Sequence, residues 1–221
     1  MYKGRFIVFE GPDCCGKTTA IENLKKELVK RGKIDNFIFV SDPGSTALGT
    51  ELRKILKHGD FDICKEAQLL LFTASRAQLI TEKILPALIK GKHVICDRFL
   101  YSTLIYQSGF HMGEQNIISL HREFCGTITP DVNIFFDIDH ETHLWRKHKN
   151  RKEEPKDRFE DSENDFMKKI IEKYNKMEQY CDAGHIEHIN AKAPVSEVNQ
   201  EVLRIVEFYC GKDVKIDDTV S

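Results

Sequence analysis

Gly11-Pro12-Asp13-Cys14-Cys15-Gly16-Lys17-Thr18 fits the Gly-x-x-x-x-Gly-Lys-[Ser/Thr] pattern of a phosphate-binding loop, and its flanks fit as well. Phe6–Phe9 reads as a short buried strand entering the loop. Thr19–Leu28 reads as a helix leaving it, with Ile21, Leu24 and Leu28 on one face. The glycines let the backbone wrap closely around a phosphate, so that consecutive N–H groups and the helix N-terminus point at it. Lys17 adds a point charge for the outer phosphates, and the Thr18 hydroxyl is placed to ligate Mg²⁺. The competing reading, a Gly-rich turn with a chance lysine, needs the match and both flanks to coincide by accident. The stretch therefore marks a nucleotide-binding protein.

The 221 residues fit one α/β domain, and a hydrophobic content of 41% is enough for a substantial core. Thirty-three basic residues face 35 acidic ones, for a net charge of −2, so nucleic acid is not the favoured partner. The first residues lack the apolar stretch of a signal peptide, and no apolar run approaches the roughly 18 residues of a membrane helix. Seven cysteines without regular spacing argue for free thiols in a reducing cytoplasm. Cys14 and Cys15 read as tolerated small loop residues, with a redox switch as the alternative.

Short apolar runs alternate with helical patterns, the signature of βαβ units and a parallel sheet. Strands are expected at Phe6–Phe9, Phe37–Val40, His93–Cys96, Val132–Phe136 and Ile186–Ile189, and long helices over Glu66–Lys90 and Asp161–Cys181. Polar clusters follow the first four strands: Glu10–Lys17, Ser41–Thr46, Asp97–Arg98 and Asp137–Glu141. Ligands of open α/β sheets bind at the carboxyl ends of strands, so these clusters should line the site. The basic run from Arg146 through Arg151 to Arg158 has the composition of a solvated helix end. In a phosphate-loop protein it also has that of a lid closing on transferring phosphates. Residues 1–211 are expected to form a single domain with a lid at about 146–158, and 212–221 a polar tail.

Asp97-Arg98 ends a buried run, where the carboxylate can hold Mg²⁺ through water and the arginine can clamp a second anion; a structural ion pair is the competing reading. Phe72 and Arg76, four apart, share a helix face and can stack on and hydrogen-bond a flat heterocycle, although a core role suits Phe72 as well.

Together these residues resemble the thymidylate kinase family from about Arg5 to Val198. The matching pieces run in order: Gly11 to Thr19, Asp42-Pro43-Gly44-Ser45-Thr46, Glu51-Leu52-Arg53, Leu70 to Arg76, Asp97-Arg98-Phe99 with Ser102-Thr103 and Tyr106-Gln107, and Asp157-Arg158-Phe159-Glu160. The resemblance implies a P-loop NTPase fold and transfer of the γ-phosphoryl of ATP to dTMP with Mg²⁺. It implies that Asp13 approaches the acceptor's sugar and 5′-phosphate, and that Arg53 and Arg98 position the acceptor, with Pro43 in the same site. By the same resemblance Phe72 stacks on thymine, Arg76 hydrogen-bonds it, and Thr103 and Gln107 line the base pocket. Tyr106 would lie under the sugar and disfavour a 2′-hydroxyl, and Ala191 and Lys192 would cup adenine, with Arg146 stacking on it. The family also implies a homodimer, with which the apolar content of Gln68–Ile80 is compatible.

The chain departs from the pattern at two places. Many relatives carry an arginine directly after the loop aspartate, where this chain has Cys14. It resembles the mostly bacterial kind whose catalytic arginine comes from the lid, and Arg151, mid-lid, is the best candidate. Ser41 stands where a bacterial-type segment has arginine, which leaves dUMP or a 5-modified pyrimidine deoxynucleotide as alternative acceptors. A non-enzymatic nucleotide switch is the further rival, but no Asn-Lys-x-Asp guanine motif occurs.

Overall fold

The computed structural model describes residues 2–58, 61–108, 113–149, 164–176 and 184–211. Five parallel strands, β1 (Phe6–Glu10), β2 (Phe37–Ser41), β3 (His93–Asp97), β4 (Val132–Asp137) and β5 (His185–Asn190), form one sheet in the order β2-β3-β1-β4-β5. Each expected strand is present and runs one residue further at its carboxyl end. The polar residue there breaks the apolar pattern, while its backbone still pairs in the ladder.

The helices are α1 (Lys17–Lys30), α2 (Ala47–His58), α3 (Lys65–Leu79), α4 (Leu85–Ile89), α5 (Leu100–Gln107), α6 (Glu114–Cys125), α7 (His140–Lys149), α8 (Asn164–Tyr174) and α9 (Val195–Cys210). The segment expected as one helix from Glu66 to Lys90 is interrupted by a wider π-helical stretch at Ile80–Ile84. Pro86 has no N–H to give and crowds the carbonyl four residues back, and the wider turn just before it accommodates the ring. In the helix expected over Asp161–Cys181, Ile170 and Tyr174 point into the core as their spacing requires. Met177 and Cys181 lie outside the described residues.

The sheet separates two apolar cores. Phe6 and Val8 of β1 pack with α3, α4, α5, α6 and α8, whereas Ile7 and Phe9 pack with α1 and α9. All four are at most 1% exposed. Full burial of such a side chain is worth about 1.5–3 kcal/mol, so a one-residue slip of β1, which would exchange its two faces, is strongly disfavoured. This fixes where the phosphate loop leaves the sheet. Beyond the strands, Asp42 N donates to Asp97 O (3.0 Å) and Arg98 N to Phe9 O (2.9 Å), which gathers the polar clusters into one place. Among the described residues no helix is long and apolar enough to cross a membrane, and the six described cysteines are free.

Candidate active site

The carboxyl ends of β1, β2 and β3, with the helices that follow, enclose a cavity of about 330 Å³. Its first wall is the phosphate loop. Gly11 has φ 149°, and a Cβ there would stand 2.9 Å from Cys15 Sγ, so the turn admits only glycine. Gly16, with φ 107°, opens α1. Cys14 lies between them in the left-handed region, φ 60°, and lines the cavity with Asp13, Gly16, Lys17, Thr18 and Thr19. Cys15 points away and is 2% exposed in the core beneath α1. Lys17 Nζ donates to the carbonyls of Gly11 (2.7 Å) and Pro12 (2.9 Å), which hold the ammonium against the loop.

Opposite stands Arg98, held at φ 68° by its backbone bond to Phe9. A left-handed non-glycine residue costs on the order of 1–3 kcal/mol and persists where its surroundings overdetermine it. Its Nη2 donates to Asp13 Oδ1 (2.6 Å) and its Nη1 to Ser102 Oγ (2.9 Å) and Tyr174 Oη (3.2 Å). Burial works against charge on Asp13, but Arg98, and behind it Lys17 and Lys57, hold its carboxyl at about 2. Burial likewise opposes charge on Arg98, and Asp13 foremost among its neighbours keeps it protonated.

The third wall comes from α2, α3 and α5. Phe72 is half-buried at the cavity surface, which favours a face for a ligand over a core role. Arg76 is 2% exposed; its Nε donates to Asp42 Oδ2 (2.6 Å) and its Nη2 to Phe99 O (3.1 Å) and to Thr103 Oγ1. Burial pushes the Asp42 carboxyl up from its ordinary value, and the guanidinium offsets part of that. Arg53 Nη1 donates to Pro43 O (2.9 Å), and Pro43, Thr103, Tyr106 and Gln107 complete the lining. Five buried polar atoms on residues lining the cavity have no hydrogen-bond partner among the described residues: Asp42 Oδ1, Asp97 Oδ1, Tyr106 Oη, and Gln107 Nε2 and Oε1. An unsatisfied buried polar atom costs about 1–3 kcal/mol, so this concentration marks groups built to meet a ligand. The lining cations Lys17, Arg53, Lys57, Arg76 and Arg98 outnumber the carboxylates Asp13, Asp42 and Asp97, the balance that suits an anionic ligand.

A further set lies beside the cavity. Arg146 of α7 donates through Nη1 to Cys15 O (2.8 Å) and through Nη2 to Ala191 O (2.6 Å), joining the phosphate loop to the turn after β5. Ala191 is 2% exposed, while Lys192 lies on the surface and pairs with Asp139 at 3.0 Å. Arg151 and Asp157-Arg158-Phe159-Glu160 lie outside the described residues.

Sequence reasoning placed Glu10 only within the polar cluster after the first strand, without a role of its own, and passed over His143 and Lys57. Glu10 is wholly buried beneath Arg98 and accepts from the N-terminus of α5. His143, 2% exposed, meets Asp13 O through Nδ1 at 3.0 Å. Its spacing of three from Arg146 puts both on one helix face, a signal that was available. Lys57 lines the cavity one turn beyond Arg53, which was equally readable.

A parallel sheet carrying a phosphate loop, with a second anion clamp at the next strand end, defines a nucleotide-binding domain of the P-loop class. The family profile described as "Thymidylate kinase" matches residues 9–202. A thymidylate kinase from a Thermoanaerobacter species is 36% identical over 208 residues, which cover 94% of this chain and 99% of that protein. One from Kosmotoga olearia is 34% identical over 200 residues, covering 90% and 93%. The solved structure of a thymidylate kinase from Ehrlichia chaffeensis superposes with a TM-score of 0.68 over 92% of this chain and 98% of that one, at 24% identity, a likeness of fold. The chain belongs to the thymidylate kinase family.

The Arg76–Asp42 pair, with side chains 2% and 1% exposed, gives a direct test of this wall. Asp42→Asn leaves a buried guanidinium without its counter-charge, and removing one partner of such a pair costs about 3–5 kcal/mol. Urea unfolding should show that loss. A change below about 1 kcal/mol, the range of exposed pairs, would contradict the assignment.

Proposed function

We propose that this chain is an ATP-dependent thymidylate kinase, which moves the γ-phosphoryl of ATP onto dTMP to give dTDP and ADP. The observation that carries the reading is the set of unpartnered buried atoms on Asp97, Tyr106 and Gln107, on the walls of one cavity with Phe72 and the phosphate loop. Phosphoryl transfer asks the protein mainly for position and charge neutralisation, with no covalent intermediate. Lys17 exchanges its loop carbonyls for the outer phosphates of ATP, and the loop N–H groups hold the rest. Arg98, already oriented by Asp13, Ser102 and Tyr174, takes the acceptor phosphate, and Arg53 assists from α2. Phe72 stacks on the base, and Gln107 and Thr103 meet its polar edge. The part of Arg76 left to the base is Nη1, because Nε and Nη2 are engaged by Asp42, Phe99 and Thr103.

Thr18 and Asp97 would hold Mg²⁺. The buried, unpartnered Asp97 Oδ1 and the Thr18 hydroxyl are hard oxygen donors on one cavity. Among the described residues no cluster of three or more His, Cys, Asp or Glu could hold a metal. That agrees with a cation that takes most of its ligands from phosphate and water. The metal would neutralise charge on the outer phosphates. Arg146, beside Ala191, borders the donor end. The residues from about 146 to 158 are read as the lid of a single domain, and 212–221 as its tail.

A homodimer fits the exposed Leu48, Leu70 and Phe124 on α2, α3 and α6, which pack side by side. Of the stretch Gln68–Ile80, Leu69, Leu79 and Ile80 are buried in the chain's own core, whereas Leu70 and Ala74, one turn apart, are exposed.

The test is ATP consumption with Mg²⁺ and a panel of dTMP, dUMP, UMP, dCMP, dGMP and AMP. The expected result is the highest kcat/KM for dTMP; a purine or ribonucleotide optimum would overturn the reading. In the same assay Phe72→Ala should raise the KM for dTMP roughly 5- to 150-fold, the effect of losing about 1–3 kcal/mol of base stacking, and barely move that for ATP. Tyr106→Ala should relax discrimination against ribonucleotides. Equal effects of Phe72→Ala on both substrates would return Phe72 to a packing role.

Because Cys14 leaves the loop without an arginine, the charge on the moving phosphoryl is assigned to the lid. Arg151→Ala should lower kcat about 10²-fold or more, with poor rescue by lysine, which lacks the bidentate fork. Near wild-type kcat for Arg151→Ala and Arg158→Ala at saturating substrates would remove the lid from the chemistry.

A further inference from the structure

Helix α7 touches the phosphate loop twice. His143 and Arg146, one turn apart, reach the carbonyls of Asp13 (3.0 Å) and Cys15 (2.8 Å), and so straddle Cys14 with its left-handed backbone. A carbonyl oxygen only accepts, so His143 Nδ1 carries the proton in this contact. Its Nε2 is buried and has no partner among the described residues. Burial, with the nearby Lys147 and His140, pushes the His143 imidazole below its ordinary value against the pull of the Asp13 carbonyl and carboxylate, which disfavours a second proton on the ring. The same Asp13 presents its carboxylate to Arg98 Nη2 at 2.6 Å. The contacts therefore run without a break from α7 through the Asp13 backbone to the guanidinium that faces the acceptor.

We propose that His143 is a positioning residue for the acceptor end of the phosphate loop. Its Nδ1–H pins the Asp13 carbonyl and thereby sets the Asp13 carboxylate that orients Arg98, while Arg146 pins the donor end of the same loop. This rests on the reading of the cavity as a two-nucleotide site, with Arg98 on the acceptor side. Arg146 bridges Cys15 and Ala191 at the other end, so the two grips divide the loop between the two substrates. Loss of the His143 grip should accordingly be felt by one nucleotide and not by the other. A side chain that only filled space would affect both or neither.

The experiment is titration calorimetry of dTMP and, separately, of a non-hydrolysable ATP analogue, on wild type, His143→Ala and His143→Asn, with a thermal melt of each. Asparagine places an amide N–H where Nδ1–H stands, and alanine places nothing. His143→Ala should weaken dTMP binding about three- to tenfold, the worth of one neutral hydrogen bond, and leave the ATP analogue within about twofold. His143→Asn should bind dTMP close to wild type. Equal weakening of both ligands, unchanged dTMP binding in the folded alanine variant, or failure of the folded asparagine variant to restore it would each overturn the proposal. If wild type binds the analogue and not dTMP, the functional reading falls and this proposal falls with it.

Discussion

Glu10 ends the central strand with a carboxylate sealed from solvent, and the active-site frame is assembled on it. Its Oε1 accepts from Phe99 N (2.8 Å) and Ser102 N (3.2 Å), and its Oε2 from Ser102 Oγ (2.6 Å) and Tyr174 Oη (3.3 Å). A buried carboxylate is tolerated only when its lone pairs are met, and the start of a helix supplies both free N–H groups and a favourable dipole. Burial pushes the Glu10 carboxyl up from its ordinary value; the bond from Ser102, the nearby Arg98 charge and the two backbone donors work against that rise. The donors come from the β3–α5 junction and from α8, so one side chain fixes three segments that are far apart in the sequence. Without it the N–H groups of Phe99 and Ser102 would lose their acceptor at the end of β1.

What rests on this frame is a balance of strain and charge. Arg98 occupies a left-handed backbone position, and its Nη1 and Nη2 are oriented by Asp13, Ser102 and Tyr174 before any nucleotide arrives. An arginine held this way loses little further freedom on meeting a phosphate, which is the economy of a preorganised site. Lys17 is held in the opposite manner, its ammonium turned onto the carbonyls of its own loop, and a phosphate must compete for it. The buried Arg76–Asp42 pair supplies rigidity at the far wall. It joins the end of β2 to α3 and, through Phe99 and Thr103, to the start of α5.

Local signals in the sequence carried the strands, the phosphate loop and most cavity residues. Phe6–Phe9 reads as a buried strand because all four side chains are apolar and a turn follows, and no distant contact is needed to see it. The same holds for Phe72 with Arg76 and for Asp97 with Arg98, whose partners lie within a helical turn or next door. Glu10 was hidden because its meaning lies 89 and 164 residues away, in Phe99 and Tyr174. Arg76 was legible as a site residue, but its tie to Asp42, 34 residues earlier, was not. The π-helical stretch before Pro86 escaped for another reason: proline announces a disturbance, and only packing decides whether the helix stops or widens. Cys15 read as a loop residue and is a core residue, because a left-handed Cys14 turns the next side chain inward.

The central claim is that a frame built on Glu10 presents Arg98 and Phe72 to the acceptor while the phosphate loop holds the donor. A crystal structure with dTMP and a non-hydrolysable ATP analogue tests it most directly. The account predicts the dTMP phosphate on Arg98, thymine against Phe72 with its polar edge toward Gln107, and Lys17 moved from the loop carbonyls to the donor's phosphates, with the Glu10 and Arg76–Asp42 contacts unchanged. A dTMP phosphate bound away from Arg98, or a base lodged elsewhere than the wall formed by Phe72 and Gln107, would contradict it.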